Sequence, residues 1–190
     1  NTPGLRDLQA PAALDELLGR VMAARKNLVE SGKPQIPIAV KIAPDVAVED
    51  LPAICDRLEA HQVDAIAVSN TTLARPAHID RLFHKEVGGL SGRPLFERST
   101  IMLAKVYQQT GGRIPLIGIG GIESGETALQ KIEAGATLIQ LYTALVYEGP
   151  SLIERIKDHL VDAVEAAGEA SIQDLVGRRA DDWAAREIPG

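Results

Sequence analysis

Two pairs of residues, each at the end of an apolar run, have the chemistry needed to bind a phosphate group. Gly120 and Gly121 close one run, and Tyr142 and Thr143 close the next. Glycine has no Cβ atom, so the main-chain N–H groups of a glycine pair can approach an anion closely. We predict that the two run ends bind one phosphate through their main-chain amides. The alternative is that the glycine pair only makes a tight turn.

The residues around the glycine pair favour this type of phosphate site. Ser124 is a good N-cap and Gly135 a good C-terminal stop, so a helix is expected between them. The positive end of its dipole would face the same anion. A dinucleotide fingerprint is disfavoured, because Gly118 and Gly120 match the first two glycines of G-x-G-x-x-G but Glu123 occupies the third. A carboxylate at that position would repel a pyrophosphate.

Lys41 ends another apolar run, in the stretch VKIAPD. A lysine in a buried strand is costly unless an anion compensates its charge. A fixed ammonium here would stabilise an anionic ligand, for example a flavin, which gains negative charge on reduction. A surface ion pair between Lys41 and Asp45 explains the residue equally well.

The stretch SNTT, residues 69–72, places polar groups directly after a third apolar run. Asn70 offers both a donor and an acceptor, and Thr71 offers a hydroxyl, which suits the amide edges of a pyrimidine. Polar residues at strand ends are also common turn formers, so this stretch alone decides little.

The stretch GGLSG, residues 88–92, lies in a long connection from about residue 72 to residue 94. Connections of this length without a helix are usually functional loops. Ser91 and Gly92 could offer a hydroxyl and an N–H group to a cofactor phosphate or to a ribityl chain.

Strands must position these residues, because the candidate groups lie at the ends of apolar runs or follow them. The four runs cover residues 36–42, 65–70, 114–120 and 137–143. They are continuously apolar, as is typical of parallel strands covered on both faces. A helical pattern follows each run, so right-handed βαβ crossovers are expected.

Two details of the helices can be checked directly. The spacing of four apolar residues predicts a buried stripe on the helix that follows the first strand: Leu51, Ile54, Cys55 and Leu58. Ser151 and Glu154 predict a capping box at the start of a later helix. The tail from Ser171 onward is expected to add one more turn of helix.

Composition limits the classes of function. The net charge of −6 and pI near 5.3 argue against a nucleic-acid binder. A single cysteine, Cys55, excludes an internal disulfide and a cysteine-rich metal site, and no metal site is predicted. No apolar run reaches the roughly 18 residues of a membrane span, so this segment itself is expected to be soluble.

Four β/α units in 190 residues permit two architectures. One is a small open doubly wound sheet, and the other is half of an eight-stranded (β/α)8 TIM barrel, which needs about 250 residues. The first residues, NTPGLRDLQ, contain no methionine and read as the interior of a longer chain. We therefore expect the last four β/α units of a barrel, with exposed strand edges and an uncovered core face.

Six stretches in order resemble one family, the class 2 dihydroorotate dehydrogenases: NTPGLRDLQ, VKIAPD, SNTT, GGLSG, IGIGGIESGETALQKIEAGA and LIQLYTAL. The resemblance runs from Asn1 to about Pro150. It implies that residues 1–190 are the C-terminal half of a single FMN-binding (β/α)8 barrel domain. It also implies oxidation of dihydroorotate to orotate in pyrimidine (UMP) biosynthesis, with a membrane quinone as electron acceptor.

The same resemblance assigns roles to individual residues. Three residues are similar to those that bind the substrate: Asn1, Asn70 and Thr71. Six residues match positions that bind FMN, the last three around its phosphate: Lys41, Ser69, Gly92, Gly121, Tyr142 and Thr143.

The resemblance also implies what this chain lacks. The family's catalytic base is a serine just upstream of the position matched by Asn1, so no catalytic residue is expected here and the fragment should be inactive alone. Class 1 relatives use a cysteine as base, but Cys55 is expected in a helix core. The expected partners are dihydroorotate or orotate, a quinone and the N-terminal half of the barrel.

The N-terminal part of the family also carries the helices that bind the membrane and the quinone. The resemblance therefore implies a peripheral location on the cytoplasmic face of the inner membrane, if the source is bacterial. From the residues alone, a phosphate-binding (β/α) isomerase or synthase half-barrel without flavin remains the alternative.

Overall fold

The computed structural model describes residues 4, 6–76, 79 and 84–189. Within these residues, four strands form one parallel sheet in the order β1-β2-β3-β4. The strands are β1 Ala39–Ile42, β2 Ala65–Val68, β3 Leu116–Ile119 and β4 Leu138–Gln140. Each strand lies inside one of the four apolar runs and is shorter than its run. The polar or glycine residues that close the last three runs are therefore outside the sheet.

The described residues form seven α-helices. They are α1 Pro11–Glu30, α2 Leu51–Ala60, α3 Phe96–Thr110, α4 Gly125–Glu133, α5 Thr143–Glu148, α6 Ser151–Ala166 and α7 Ala180–Ala184. Short 3-10 helices cover Arg6–Gln9, Val48–Asp50, Arg93–Leu95 and Ile172–Leu175. Helices α2, α3 and α4 each return the chain to the start of the next parallel strand, as a βαβ crossover requires.

The two faces of the sheet differ in exposure. Side chains that point towards the helices are buried: Ile42, Ile66, Val68 and Leu116. On the opposite side, which we call the open face, four residues of the outer strands are exposed: Ala39, Lys41, Leu138 and Gln140. The prediction of strands covered on both faces is therefore wrong for β1 and β4. The expected uncovered core face is confirmed, since these side chains face solvent rather than a second layer.

The strand order separates the two architectures that the sequence allowed. A doubly wound sheet changes strand order at a switch point and has helices on both faces. Here the strands follow the chain order, all are parallel, and the large buried side chains lie on the face that the helices cover. This arrangement is that of four consecutive β/α units of a barrel, as predicted.

The predicted stripe on α2 is confirmed. Leu51, Ile54, Cys55 and Leu58 are all buried against the rest of the core. Burial, with a smaller contribution from the nearby carboxylates of Glu59 and Asp56, raises the pKa of the Cys55 thiol to about 11. A thiol with so high a pKa is a poor nucleophile, so Cys55 is a core residue, as expected.

The helix ends agree with the sequence in one place and differ in another. Ser124 caps α4 by accepting the amide of Thr127, and the Thr127 hydroxyl accepts the amide of Ser124 in return. The predicted capping box at Ser151 is wrong, because α6 begins at Ser151 itself and the Ser151 hydroxyl accepts a hydrogen bond from Arg155. Pro150 before it has helical dihedral angles, which extends the turn by one residue.

The C-terminal tail is longer and better packed than one turn of helix. Trp183 on α7 is buried and meets the ring of Phe96 edge to face, with 6.1 Å between the ring centroids. Lys105 on α3 donates to the carbonyl of Ala184 at 2.6 Å. The tail therefore fixes α3, the helix whose first residue, Phe96, contacts the glycine pair.

The same substitution at two sites should separate the buried face from the open face. Leu58 is fully buried, whereas Leu138 is 60% exposed. Leu58→Ala should lower the free energy of unfolding of this chain by about 2–5 kcal/mol. Leu138→Ala should change it by less than about 0.5 kcal/mol. Urea unfolding followed by circular dichroism measures both, and equal losses would contradict the open face.

Candidate functional site

The C-terminal ends of all four strands border one cleft of about 590 Å³. This volume lies within the range of small-molecule sites, roughly 300–1,000 Å³. The site residues proposed from the sequence that fall in the described part all line it: Lys41, Ser69, Asn70, Thr71, Gly92, Gly121, Tyr142 and Thr143. Asn1 lies outside the described residues. The structure thus brings these residues together at one cleft, while the roles of the individual residues stay predictions.

The two strand ends expected to share an anion are neighbours. Ile119 and Gln140 are partners in the β3–β4 ladder, so Gly121 and Tyr142, each two residues further on, follow adjacent strands. Within the described part of the chain, the main-chain N–H groups of Gly121, Tyr142 and Thr143 donate to no protein acceptor. These groups are available to an anion in the cleft.

Close packing near the start of α3 also requires glycine at positions 120 and 121. Gly121 has φ of +71°, and a Cβ atom there would lie 2.4 Å from the Cβ and 2.6 Å from the Cα of Phe96. Gly120 has φ of +108°, and its Cβ would lie 2.8 Å from the hydroxyl oxygen of Ser99. A larger residue at position 121 would require movement of α3, and one at position 120 would displace the side chains of Ser99 and Leu95. The tight turn and the accessible amides are therefore two consequences of the same packing.

Lys41 lies on the open face and is exposed in this chain. The premise that it sits in a buried strand is therefore wrong for these residues, because nothing in the described part covers that face at β1. The alternative Lys41–Asp45 pair is also absent, since the Asp45 carboxylate pairs with Arg98 at 3.2 Å. Within the described ranges, Lys41 makes no ion pair, and its ammonium group borders the cleft.

Asn70 is held in place by local hydrogen bonds. The main-chain amide of Asn70 donates to the carbonyl of Ile42 at 2.9 Å, and this bond continues the β1–β2 ladder beyond the strands. Its side-chain oxygen accepts the amide of Thr71 at 3.0 Å, and its main-chain carbonyl accepts the hydroxyl of Ser69 at 2.9 Å. The side-chain NH2 group of Asn70 is therefore the part best placed to donate to a ligand.

Hydrogen bonds join the two ends of the long connection to each other. Thr72 and Leu90 exchange main-chain hydrogen bonds, of 3.2 Å and 2.7 Å. The Arg75 guanidinium donates to the carbonyls of Glu86 at 3.1 Å and Gly88 at 2.7 Å. The GGLSG stretch is thereby fixed next to the SNTT stretch.

The end of that stretch reaches the side of the cleft at the end of β4. The hydroxyls of Ser91 and Thr143 are 3.1 Å apart. A Cβ atom on Gly92, which has φ of +74°, would lie 3.1 Å from the methyl carbon of Thr143. The loop residues singled out from the sequence therefore meet the end of β4 directly.

An ion pair at the rim of the cleft was missed by the sequence argument. Arg93 donates to the carboxylate of Glu123 at 2.6 Å. This hydrogen bond and the negative charge of Glu123 raise the pKa of Arg93. The pair offsets the repulsion that Glu123 alone would exert on a phosphate. No local pattern announces it, because the two residues are far apart in sequence and meet only through the fold.

Two further kinds of feature are absent from the described residues. None of their helices combines the length and the apolar character that crossing a membrane requires. They also contain no group of three or more His, Cys, Asp or Glu residues that could hold a metal ion.

Comparison with known proteins gives one family. The family model described as dihydroorotate dehydrogenase matches residues 1–164. Two curated proteins named dihydroorotate dehydrogenase (quinone) are similar over 188 residues: that of Rhizobium rhizogenes is 48% identical and that of Brucella ovis 49% identical. Each alignment covers 99% of this chain and 52% of the relative. The chain therefore spans about half the length of the curated relatives it matches.

Solved structures give the same result. The crystal structure of DHODH from Eimeria tenella in complex with ferulenol superposes with a TM-score of 0.88 at 34% sequence identity. It covers 94% of this chain and 51% of the other. The ligand-free type from the same organism gives a TM-score of 0.85 at 34% identity. The barrel fold predicted from the sequence is confirmed.

The Arg75 contacts should control the order of the loop beside the cleft. Arg75→Ala removes the hydrogen bonds to Glu86 and Gly88, each worth roughly 0.5–1.5 kcal/mol, so the amide of Leu90 should exchange at least about fivefold faster. Hydrogen–deuterium exchange with mass spectrometry measures this rate. Arg155→Ala is the matched control, because Arg155 bonds only to Ser151 and Glu148 among the described residues. Equal exchange in the two variants would contradict the anchoring role.

Proposed function

This chain belongs to the dihydroorotate dehydrogenase family, and we propose that it forms the C-terminal half of a quinone-dependent member that binds FMN. The observation that carries the proposal is the pair of neighbouring strand ends at residues 120–121 and 142–143, whose amides are available at one cleft. The names of the relatives supply the reaction, and the cleft supplies groups that suit its cofactor and substrate.

The phosphate group of FMN suits the β3–β4 end of the cleft. Its oxygens are strong acceptors, and the amides of Gly121, Tyr142 and Thr143 are donors without a described partner. Ser91 and Gly92 would contact the phosphate or the ribityl chain from the long connection, since both already lie next to Thr143. Main-chain donors of this kind hold an anion without the cost of ordering long side chains.

The other end of the cleft suits the flavin ring. When bound, FMN would accept a hydride from dihydroorotate, and its electrons would then pass to a quinone. Lys41 would place its ammonium beside the ring, where a positive charge stabilises the negative charge of the reduced form. Ser69 would form part of the cleft wall beside the flavin. Its hydroxyl would not donate to FMN, because it already donates to the main-chain carbonyl of Asn70.

Asn70 and Thr71 would orient the substrate ring. The NH2 group of Asn70 can donate to a carbonyl oxygen of dihydroorotate, and the Thr71 hydroxyl can bond to the same edge. Both follow β2 and are held by the ladder, so the ring would be fixed relative to the flavin. We propose the same substrate contact for Asn1 on the basis of the resemblance alone.

The catalytic base is proposed to come from outside this chain. Glu123 supplies the only carboxylate in the lining of the cleft that the structure describes, and Arg93 neutralises it. Proton removal from dihydroorotate needs a different group. A serine just upstream of the position of Asn1 is the proposed base, and it would reach the cleft from the segment that completes the barrel.

The open face is the proposed contact with the N-terminal half of the barrel. Its exposed residues Lys41, Leu138 and Gln140 would then face the barrel interior, which in closed barrels is filled by side chains. Contact with the membrane and with the quinone would belong to that N-terminal half. The proposed location is the cytoplasmic face of the inner membrane of a bacterium.

Flavin binding tests the proposal most directly. The complete barrel, meaning this chain together with its N-terminal half, should purify with FMN that is released on denaturation and identified by mass. It should bind FMN more tightly than riboflavin, which lacks the phosphate. A colourless complex would reject the proposal and favour a phosphate-binding isomerase or synthase.

Two substitutions should separate substrate binding from cofactor binding. In the complete barrel, Asn70→Ala should raise the KM for dihydroorotate about twofold to tenfold while FMN content stays normal, since one neutral hydrogen bond is lost. Gly121→Val should lower FMN content, because its side chain would collide with Phe96 and displace the amide. Steady-state kinetics and flavin absorbance measure the two effects. Loss of FMN in Asn70→Ala with unchanged KM would reverse the assignment.

A further inference from the structure

Lys131 on α4 is a buried amine with an unusual setting. Its side chain is fully buried, and its Nζ donates to the hydroxyl of Ser99 at 2.7 Å. The same atom lies 5.1 Å from the centroid of the Phe96 ring. Within the residues that the structure describes, no carboxylate lies within ion-pair distance of Lys131. Burial lowers the pKa of Lys131 well below its usual range.

A lysine in this setting lowers the stability of the fold. Moving an amine from water into the protein costs free energy, and a single hydrogen bond with a weak cation–π contact returns only part of it. An apolar side chain of the same length would fill the space at no such cost. The position therefore requires an explanation other than packing.

The hydroxyl of Ser99 connects Lys131 to the glycine pair. Its oxygen accepts from Lys131, so its one proton is directed to a carbonyl, and two are within reach. These are the carbonyl of Gly120 at 3.3 Å and the carbonyl of Phe96 at 3.1 Å. Lys131 thereby directs the proton of Ser99 towards these two carbonyls, of which that of Gly120 belongs to a residue that lines the cleft.

The Gly120 carbonyl and the Gly121 amide belong to the same peptide unit. In a trans peptide the C=O and N–H bonds point in opposite directions. Since the carbonyl points to Ser99 on α3, the N–H of Gly121 points away from the helix layer. That N–H has no acceptor in the described part of the chain, and Gly121 lines the cleft.

We propose that Lys131 is a positioning residue for the anion site, because it holds the Gly120–Gly121 peptide through Ser99 with the Gly121 N–H facing the cleft. Lys131 does not touch the ligand and acts from behind the glycine pair. The inference rests on the proposed function, since it requires that a phosphate group occupies this end of the cleft. Glycine allows many backbone conformations, so a peptide between two glycines needs an external hold to keep one orientation.

Comparison of FMN with riboflavin tests this role in the complete barrel. Lys131→Met keeps the length of the side chain and removes the amine, and Ser99→Ala removes the link. Each should weaken FMN binding about tenfold to a hundredfold, the value of one hydrogen bond to a charged group, and leave riboflavin binding unchanged. The double variant should bind FMN no more weakly than the weaker single variant, because both act through one contact. Flavin fluorescence titration measures each affinity.

Lys26→Met is the control for the substitution itself, because Lys26 is exposed on α1 and, among the described residues, pairs only with Glu30 at 3.8 Å. It should leave the affinities for FMN and riboflavin unchanged. Lys131→Met should have a urea midpoint equal to or above that of the wild type, since the buried amine is removed. If Lys131→Met does not fold, Ser99→Ala alone should still show the loss that is specific to FMN.

The outcomes separate this inference from the proposed function. A wild-type barrel that binds FMN no better than riboflavin overturns the phosphate site and the role of Lys131 with it. A wild type that prefers FMN, with Lys131→Met or Ser99→Ala equally selective, overturns only the positioning role. Equal weakening of FMN and riboflavin would mean that Lys131 supports the whole cleft. Additive losses in the double variant would overturn the link through Ser99.

Discussion

The close contact between the glycine pair and the start of α3 is the constraint on which the cleft depends. A Cβ atom at Gly121 would overlap the main chain of Phe96, so strand end and helix start lie as close as two backbones can. Phe96 also packs against Trp183 and lies beneath the amine of Lys131. One residue thus connects the cleft, the helix layer and the C-terminal tail. A shift of α3 would move the amides that face the cleft.

The open face leaves apolar surface of the described residues uncovered. Large side chains on this face and in the cleft are exposed, among them Leu138 at 60% and Tyr147 at 83%. Exposed apolar surface of this kind usually marks a contact with another segment or partner. The chain covers about half of its curated relatives, and their remaining half is the natural occupant of that face under the proposed function. The cleft and the interface would then share residues.

The positively charged groups near the cleft differ in sign from the net charge of the chain. The protein carries a net charge of −6, yet Lys41 borders the cleft and Arg93 neutralises Glu123 at the rim. An anionic cofactor is attracted by such local charges more than it is repelled by distant carboxylates, since salt screens distant charges. The net charge therefore describes the surface as a whole, whereas the charges at the described cleft depend on the residues that line it.

The sequence by itself determined the strands, the buried stripe of α2, the bounds of α4 and which residues lie at the strand ends, because these follow from apolar periodicity and from the backbone preferences of glycine and capping residues. Every described site residue named from those patterns lines the cleft. Lys131 could have been found in the same way, since it shares the buried stripe of Ala128 and Ile132, where a charged residue is out of place.

Tertiary structure alone decided which distant residues meet. The pairing of Arg93 with Glu123, the anchoring of the long connection by Arg75 and the link from Lys131 through Ser99 to Gly120 join segments that no local pattern relates. The exposure of Lys41 was likewise misjudged, because an apolar run reports the character of a strand and not whether a second layer covers it. Local sequence sets the conformation of each segment, and only packing sets the distances between segments.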